Sequence, residues 1–441
     1  MSEEKYIAAI EISSSKIIAA VGRAYGEGQL DVIAVEQENA TDSVRYGMIQ
    51  NLEDTSVRIA RIIHRLEQRT GVSPRQIKGM FVGLSGRSLR NITTEVSRSL
   101  REDTEITDAI LADLRNDAMR AAIDNTLEII DVIPRGFKVG KAETRSPRGA
   151  IGNSIQATYD LIVCRPELKR NLKRTIEDKL GIRCEGFVVT AIATGHLILS
   201  DDVKNLGCML VDMGAETTTV TIYKNKSLRY LATLPFGGRN ITRDITSLNL
   251  LEENAEDIKK TSGNAIAREL ASSLNLNGVK LSDISNLVVA RSEEIVANIV
   301  EQIEYAGLKE NDIPGGIFVI GGGARLQGMI ELLSQQSNLP VRRGALPPYV
   351  HLDEIKATSY ECDQVVSVMY EGSTCGAKFS CLEEPEPQEL PSSGYRPQEK
   401  EPEPEQKPVK PKKDRSKWIR SLGGRITSMF GNPEDDSEII D

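Results

Sequence analysis

Residues 208–223 have the sequence CMLVDMGAETTTVTIY. An apolar run ends at Asp212, small residues and one further carboxylate follow at 214–217, and a Thr/Val-rich run begins at Thr218. This pattern predicts two strands joined by a tight loop. An Asp at a strand end beside small residues lets the backbone approach a phosphate while the carboxylate reaches a metal ion. The stretch therefore predicts a phosphate-binding hairpin.

The N-terminus carries the same arrangement. Residues 6–10 (YIAAI) and 17–21 (IIAAV) predict two strands, and Glu11 supplies one carboxylate to the small-residue loop between them. Two such hairpins in different halves of the chain predict two related domains that hold one nucleotide between them. A third element, GGGAR at 321–325, follows an apolar run that predicts a buried strand.

In this order, the three elements resemble the actin-type ATPase fold, in which two phosphate hairpins and a glycine-rich adenosine loop enclose ATP between two domains. Within that fold, Lys5 to Phe379 and the C-terminal helix resemble the FtsA family, bacterial proteins that tie the FtsZ ring to the membrane. The resemblance implies an α/β, actin-like two-domain fold with an FtsA-type subdomain inserted in the first domain. It also implies ATP and Mg²⁺ as ligands, filaments of the chain itself, and a place on the cytoplasmic side of the cell membrane at the division septum.

The resemblance carries over to particular residues. It implies that Asp212 and Glu11 face the metal, and Asp212 is the one candidate catalytic residue. Glu256 and Lys259 match a pair that faces the nucleoside in related ATPases, although a solvated helical charge pair is an equal alternative. The residues expected at the nucleotide are Ser13, Ser14, Ser15, Lys16, Gly214, Ala215, Glu216, Thr217, Gly237, Gly238, Glu256, Lys259, Gly321, Gly322, Gly323 and Arg325.

Both hairpins depart from the family pattern. In the first, Glu11 stands in place of Asp and Ser13 in place of glycine, and in the second Ala215 and Glu216 replace two glycines. A carboxylate at Glu216 repels phosphates unless it points away or a metal shields it. Side chains also restrict the loop backbone wherever φ is positive. We therefore expect nucleotide binding with, at most, slow ATP hydrolysis.

Composition divides the chain into regions. No segment approaches the ~20 continuous apolar residues of a membrane span, and the start lacks an apolar signal region. From 383 to 411 the residues are mostly Glu, Pro, Gln, Lys and Ser, which cannot bury a core. The predicted regions are a first actin-like domain at 1–200 with an inserted subdomain at about 83–161, a second actin-like domain at 201–380 with an upper lobe at about 239–308, a disordered Pro/Glu-rich linker at 381–411, an amphipathic membrane-targeting helix at 412–431 and an acidic tail at 432–441.

The segment after the linker predicts a basic amphipathic helix. At ~100° per residue its large apolar side chains fall within one arc of about 120°. The pair Gly423-Gly424 costs roughly 2 kcal/mol relative to alanines, so the helix should form only when its apolar face is covered. A partner-binding helix, or one packed on its own core, is the alternative. The residues expected at the membrane are Trp418, Ile419, Leu422, Ile426, Met429 and Phe430 on the apolar face, with Lys417 and Arg420 at the headgroups.

A partner site is implied in the upper lobe. Arg291 matches an arginine with which the FtsA family receives the FtsZ C-terminal tail, and a guanidinium suits the acidic residues of that tail. An exposed helical arginine is the alternative. The family also recruits later division proteins. The net charge of −9 argues against nucleic-acid binding. Six scattered cysteines without a Cys-x-x-Cys pair are typical of reduced thiols, and three separated histidines argue against a histidine-rich metal site.

Two other functions remain open at this point. A small-molecule kinase of the same fold would need an acceptor site, and the sequence carries no separate motif for one. A basic amphipathic tail would also have no purpose in a soluble kinase. An actin-like platform protein of a pilus or secretion machine would resemble FtsA in its core. The linker and the terminal helix favour the FtsA-like adaptor over that platform.

Overall fold

The structure is a computed structural model that describes residues 5–25, 28–40, 42–266, 275–276, 278–352, 359–375, 379 and 381–384. The linker predicted at 381–411, apart from its first four residues, lies outside the described residues, and so do the predicted helix at 412–431 and the tail at 432–441. Within the described ranges no helix is long and apolar enough to cross a bilayer.

Strands and helices are mixed along the chain, which begins with five strands before its first helix. The strands are β1 (Lys5–Ile12), β2 (Lys16–Ala24), β3 (Leu30–Asn39), β4 (Val44–Arg45), β5 (Met48–Ile49), β6 (Gln76–Ile77), β7 (Gly79–Leu84), β8 (Arg90–Glu105), β9 (Glu128–Val139), β10 (Ala142–Thr144), β11 (Ile151–Cys164), β12 (Arg183–Val189), β13 (Cys208–Met213), β14 (Thr218–Lys224), β15 (Ser227–Leu234), β16 (Asn275–Leu276), β17 (Val279–Lys280), β18 (Ile317–Ile320), β19 (Val341–Arg343), β20 (Val350–Leu352) and β21 (Leu382–Glu383). The helices are α1 (Leu52–Glu67), α2 (Asp108–Met119), α3 (Pro166–Lys173), α4 (Thr190–Ile198), α5 (Asp201–Leu206), α6 (Gly238–Thr246), α7 (Glu252–Ser262), α8 (Leu281–Tyr305), α9 (Met329–Ser337) and α10 (Ser359–Thr374).

The first sheet has the strand order β12-β7-β1-β2-β3-β20. Its central strands are buried on both faces, since Ile7, Ala8, Ala9 and Ile10 in succession are at most 1% exposed. Continuous apolar strands of this kind are typical of a sheet covered by helices on both sides. Here α1 and α10 supply contacts to the sheet. We call this sheet and its helices the first half.

The second half repeats the topology of the first. Strands β13, β14 and β15 form an antiparallel meander, as β1, β2 and β3 do, and β18 and β19 extend it in parallel, as β7 and β12 extend the first sheet. The two central hairpins turn at equivalent points, between Ile12 and Ile17 and between Met213 and Thr218. This duplication confirms the predicted actin-like fold, because the same strand order places both hairpin loops at corresponding sheet edges.

A subdomain is inserted between β7 and α3. It consists of β8, β9, β10 and β11 with α2, which begins after Thr107, whose side chain accepts a hydrogen bond from the Ile110 amide at 3.5 Å. Its own core includes Ile106, Leu114 and Tyr159. The subdomain's sheet joins the sheet of the second half through one β8–β15 pair, Arg90 with Ala232.

The end of the described chain returns to the first half. Strand β20 pairs with β3, β21 pairs with β6, and α10 packs on α4 and β1. The last part of the second domain predicted at 201–380 is therefore packed on the first sheet. The return brings the first turn of α10 to the edge of both hairpin loops.

Gly372 of α10 offers a test of this contact. A Cβ at this position would lie 2.6 Å from the ring of Phe81 on β7. Glycine to alanine within a helix normally stabilises by about 1 kcal/mol, but here overpacking should outweigh that gain, since it costs typically 1–3 kcal/mol. We expect Gly372→Ala to lower the free energy of unfolding measured in urea. Gly136→Ala on β9 is the control, because nothing lies within 4 Å of a Cβ added there; equal effects of the two substitutions would contradict the expectation.

Candidate functional site

Both predicted phosphate loops are closed turns at equivalent strand ends. In the first, the amide and hydroxyl of Ser13 each donate to the Lys16 carbonyl at 2.9 Å, while Ser14 is buried and Ser15 is exposed. In the second, the Gly214 amide donates to the Thr217 carbonyl at 2.8 Å. The side chains that replaced glycines are thus accommodated without losing either turn.

Glu11 at the end of β1 is 1% exposed and held by two hydroxyls. Ser85 donates to its Oε1 at 2.5 Å and Thr190 donates to its Oε2 at 2.7 Å. Burial raises the pKa of Glu11 to about 7, and the two hydrogen bonds offset part of that rise. Gly83 makes room for the long side chain, because a Cβ there would overlap Glu11 Oε2.

Asp212 occupies the corresponding end of β13, opposite Ile320 of β18. Its Oδ2 accepts a hydrogen bond from Gln364 Nε2, whereas its Oδ1 is shielded from solvent and has no partner among the described residues. Burial raises the pKa of Asp212 to about 6. Gly321 has a φ of +84°, and a Cβ there would lie 2.6 Å from Asp212 Oδ1, so both conformation and space require glycine.

The first turn of α10 contacts both loops. Lys16 Nζ donates to the Glu361 carbonyl. Gln364, which lies about one turn further along α10, donates a hydrogen bond from Nε2 to Asp212. Asp363 is 3% exposed, and within the described structure neither of its carboxylate oxygens has a hydrogen-bond partner. Burial raises the pKa of Asp363 to about 7, with a smaller contribution from the charge of Asp212. Sequence reasoning missed these residues because no motif marks a position so distant in the chain.

The unpartnered oxygens of Asp212 and Asp363 fit a hard cation. Oxygen ligands are those that Mg²⁺ prefers, and the ion is usually held by one or two carboxylates together with phosphate oxygens and water. No group of three or more His, Cys, Asp or Glu side chains poised to hold a metal occurs in the described part of the chain. The oxygens of Asp212 and Asp363 therefore suit a Mg²⁺ ion whose other ligands are polyphosphate oxygens and water.

Glu216 is 1% exposed, and its carboxylate faces the guanidinium groups of three arginines. Its carboxylate receives hydrogen bonds from Arg45 at 3.2 Å, Arg239 at 3.2 Å and Arg243 at 2.8 Å, and from the Tyr46 amide at 2.8 Å. Burial alone would raise the pKa of Glu216, but the Tyr46 amide and the arginines lower it below its usual value. The repulsion expected between this carboxylate and a phosphate is thus offset by three guanidinium groups.

The turn at Gly237 and Gly238, which comes next along the second half, is hydrogen-bonded to the second loop. Gly237 lies against the loop backbone, since a Cβ there would fall 2.5 Å from the Ala215 carbonyl oxygen. The Gly238 amide donates to the Gly214 carbonyl at 3.0 Å. Lys259 Nζ in turn donates to the Gly238 carbonyl at 3.0 Å and to Glu256 at 2.6 Å.

Glu256 and Lys259 therefore belong to a half-buried cluster. Thr242 of α6 donates to Glu256 at 2.5 Å and also accepts from Lys259 at 2.9 Å, so the pair joins α6 to α7. Burial lowers the pKa of Lys259, while the bond to Glu256 opposes that shift. This contact with the Gly238 backbone distinguishes the pair from a solvated helical charge pair.

The glycine loop after β18 abuts the second hairpin. A Cβ at Gly323 would lie 3.0 Å from the Met213 carbonyl oxygen, whereas nothing lies within 4 Å of one at Gly322. Arg325 follows in a 3-10 turn, half-exposed, with Nη1 3.9 Å from Glu361 Oε1. Hydrogen bonds and close approaches thus bring together the two hairpins, the Gly237–Gly238 turn, the Glu256–Lys259 pair and the glycine loop.

Arg291 lies apart from these elements, on α8. Its guanidinium donates to Asp244 at 2.6 and 3.1 Å and to Glu294. With Arg243, Leu287 and Ala290 among its neighbours, it lines a surface cavity of about 340 Å³ between α6 and α8. We call this cavity the α6–α8 pocket. The residues expected at the membrane, Lys417 to Phe430, lie outside the described residues.

Two family models match the sequence. The one described as Cell division protein FtsA matches residues 209–360, which hold the second hairpin, helices α6 to α8 and the glycine loop. The one described as SHS2 domain inserted in FTSA matches residues 86–163, which hold β8 to β11 and α2.

Relatives named Cell division protein FtsA match over most of the chain. That of Porphyromonas gingivalis is 28% identical over 386 residues, which span 85% of this chain and 78% of the relative. That of Streptococcus pneumoniae is 29% identical over 356 residues, which span 78% and 76%. That of Bacillus subtilis is 28% identical over 366 residues, which span 79% and 80%.

A solved structure, the PilM-PilN type IV pilus biogenesis complex, matches with a TM-score of 0.61 at 15% identity, covering 83% of this chain and 98% of that chain. At this identity the likeness shows the fold alone. The family models and the relatives, by contrast, share both the inserted subdomain and the second half with this sequence. The chain therefore belongs to the FtsA family of actin-like cell division proteins.

Proposed function

We propose that this division protein binds ATP with Mg²⁺ in the cleft between its two halves. The observation that carries the proposal is the pair of equivalent hairpin loops with the unpartnered oxygens of Asp212 and Asp363 beside them. Asp212 and Glu11 are the proposed metal-side carboxylates, and the buried Asp363 lies beside Gln364, which donates to Asp212. A bound Mg²⁺ would polarise a phosphoryl oxygen.

The remaining predicted residues have distinct proposed roles. The turns at 13–16 and 214–217 offer backbone amides and hydroxyls to the phosphates, and Lys16 adds a positive charge at the junction with α10. The Gly237–Gly238 turn supports the second loop, while Glu256 and Lys259 flank the nucleoside. The open space at Gly322 supports the proposal that the adenosine lies against the loop at 321–325.

Hydrolysis should be slow. Glu11 is occupied by Ser85 and Thr190, and one Asp212 oxygen is occupied by Gln364, so neither carboxylate is free to orient a water with both oxygens. With Asp212 as the candidate catalytic residue, the protein is proposed to be at most a slow ATPase.

The proposal extends to the place of the protein in the cell. We assign it the adaptor role of its family: filaments of the chain on the inner face of the cytoplasmic membrane, at the septum, that hold the FtsZ tail and recruit later division proteins. The α6–α8 pocket supports the FtsZ site, because Arg243 and Arg291 line it together with the apolar Leu287 and Ala290. The carboxylates of Asp244 and Glu294 line it as well, and both pair with Arg291. The proposed regions remain a first domain at 1–200 with its insert, a second domain from 201, a linker at 381–411 and a membrane helix at 412–431.

Asp212→Ala tests the nucleotide site. Losing a metal-side carboxylate should weaken Mg-ATP affinity by about tenfold or more, the loss typical of disturbed metal sites. Calorimetric titration with Mg-ATP measures it, and Asp202→Ala on the exposed side of α5 is the matched control. Equal affinities of parent and Asp212→Ala would remove Asp212 from the site.

Arg291→Glu tests the partner site. The change places a carboxylate where an acidic FtsZ tail must dock, so the affinity of the tail peptide should fall by at least about tenfold. Fluorescence anisotropy of a labelled FtsZ C-terminal peptide reports the affinity. Arg61→Glu, an exposed position on α1 with the same charge change, should bind like the parent. Undiminished binding by Arg291→Glu would show that the tail docks elsewhere.

Trp418 tests the membrane helix directly, since it is the one tryptophan of the chain. Fully burying each large apolar side chain contributes about 1.5–3 kcal/mol, and each cation near an anionic surface adds about 1 kcal/mol. Tryptophan fluorescence should therefore shift to the blue with anionic vesicles, less so at high salt. Trp418→Glu, or truncation after Pro411, should release the protein from vesicles while Mg-ATP affinity is retained. Vesicle binding by the truncated form would exclude this helix as the anchor.

A further inference from the structure

One short turn of the first half bridges both phosphate loops. The turn between β4 and β5 consists of Tyr46 and Gly47, which have φ angles of +50° and +75°. The Gly47 amide donates to the Ser14 hydroxyl of the first loop at 2.9 Å. The preceding amide, that of Tyr46, donates to the Glu216 carboxylate of the second loop at 2.8 Å. Two successive N–H groups therefore hold one loop each.

Glu216 is the point at which this bridge meets the second half. On the side of the first half it binds Arg45 and the Tyr46 amide, and on its own side it binds Arg239 and Arg243 of α6. Separation of the two halves must break the contacts with Arg45 and Tyr46, because these residues lie on the β4–β5 hairpin. Glu216 thus fastens the halves across the cleft.

Arg243 extends the connection to a second site. Its guanidinium is 2.8 Å from Glu216 Oε1 and also lines the α6–α8 pocket, where Arg291 and Asp244 lie. An anion in that pocket would contact the same side chain that binds the second phosphate loop. The pocket and the cleft are therefore separated by a single arginine.

The charges around Glu216 give the direction of the effect. Three arginines converge on this one carboxylate, and Glu252 adds a second acidic group 3.5 Å from Arg239. Closing the cleft brings Arg45 into this cluster of guanidinium groups, where like charges repel. An anion bound to Arg243 reduces that repulsion, and phosphates in the cleft act in the same sense from the other side. Both anions favour the closed arrangement.

We propose that Arg243 and Glu216 couple the α6–α8 pocket to the nucleotide cleft, so that an acidic peptide in the pocket and a nucleotide in the cleft bind with positive cooperativity. The inference rests on the proposed function, since it needs both ligands at their proposed sites. By linkage, each ligand must raise the affinity of the other by the same factor.

The experiment measures the affinity of a labelled FtsZ C-terminal peptide for the full-length protein, with and without Mg²⁺ and a non-hydrolysable ATP analogue. For the parent protein the nucleotide should raise peptide affinity about fivefold or more, the lower end of typical coupling. Glu216→Gln keeps the size of the side chain and removes its charge. In this variant the nucleotide should raise peptide affinity by less than about twofold.

Arg45→Gln isolates the link between the halves. Arg45 is not among the residues that line the pocket, so the variant keeps the pocket side chains, while the increase in peptide affinity caused by nucleotide should be smaller than in the parent. Arg61→Gln on α1 is the control and should keep the full factor.

The outcomes separate the two levels of the proposal. If the parent binds both ligands but each affinity is independent of the other ligand, the coupling is wrong and the proposed function stands. The same holds if Glu216→Gln keeps the parent's factor. If the parent binds no peptide or no nucleotide, the proposed function fails and the coupling fails with it.

Discussion

The structure depends on the burial of one carboxylate at the end of the central strand in each half. Glu11 and Asp212 would each cost several kcal/mol if they were left buried, charged and unpaired. The protein meets this cost with hydroxyl and amide donors, from Ser85, Thr190 and Gln364. These donors come from the end of β7, from α4 and from α10, and Asp212 Oδ1 is left without a partner among the described residues. The two hairpins and the returning helix are therefore one polar network.

Glycines make this arrangement sterically possible at two points. Gly83 admits the longer Glu11 side chain, and Gly321, the first residue of the glycine loop, admits Asp212. A glutamate in place of the family's aspartate is thus compensated by an absent side chain on the neighbouring strand. In the second loop, the negative charge of Glu216 is offset differently. Its carboxylate pairs with three arginines, one of which lies in the first half, so that it forms a contact between the halves. The departures from the family pattern have different physical consequences.

Helices α6 and α8 connect the second loop to the surface of the second half. Residues of α6 take part on both sides, because Arg239 and Arg243 hold the second loop while Asp244 holds Arg291 in the α6–α8 pocket. One short helix thus contributes to the second loop and to the pocket, and Arg243 takes part in both.

The amino-acid sequence by itself determined the two hairpins, the glycine loop and their order, because strand alternation, small residues and a carboxylate at a strand end are local patterns. It also determined the family, since three ordered motifs and an amphipathic tail together are specific. Only the tertiary structure decided the partners of the side chains. Asp363, Gln364, Arg45 and Tyr46 carry no local signal, and the return of α10 to the first sheet was not visible in composition. The direction of Glu216 likewise depended on arginines 27 residues ahead and 171 residues behind. Long-range contacts of this kind arise from the packing of the two halves, which no local pattern encodes.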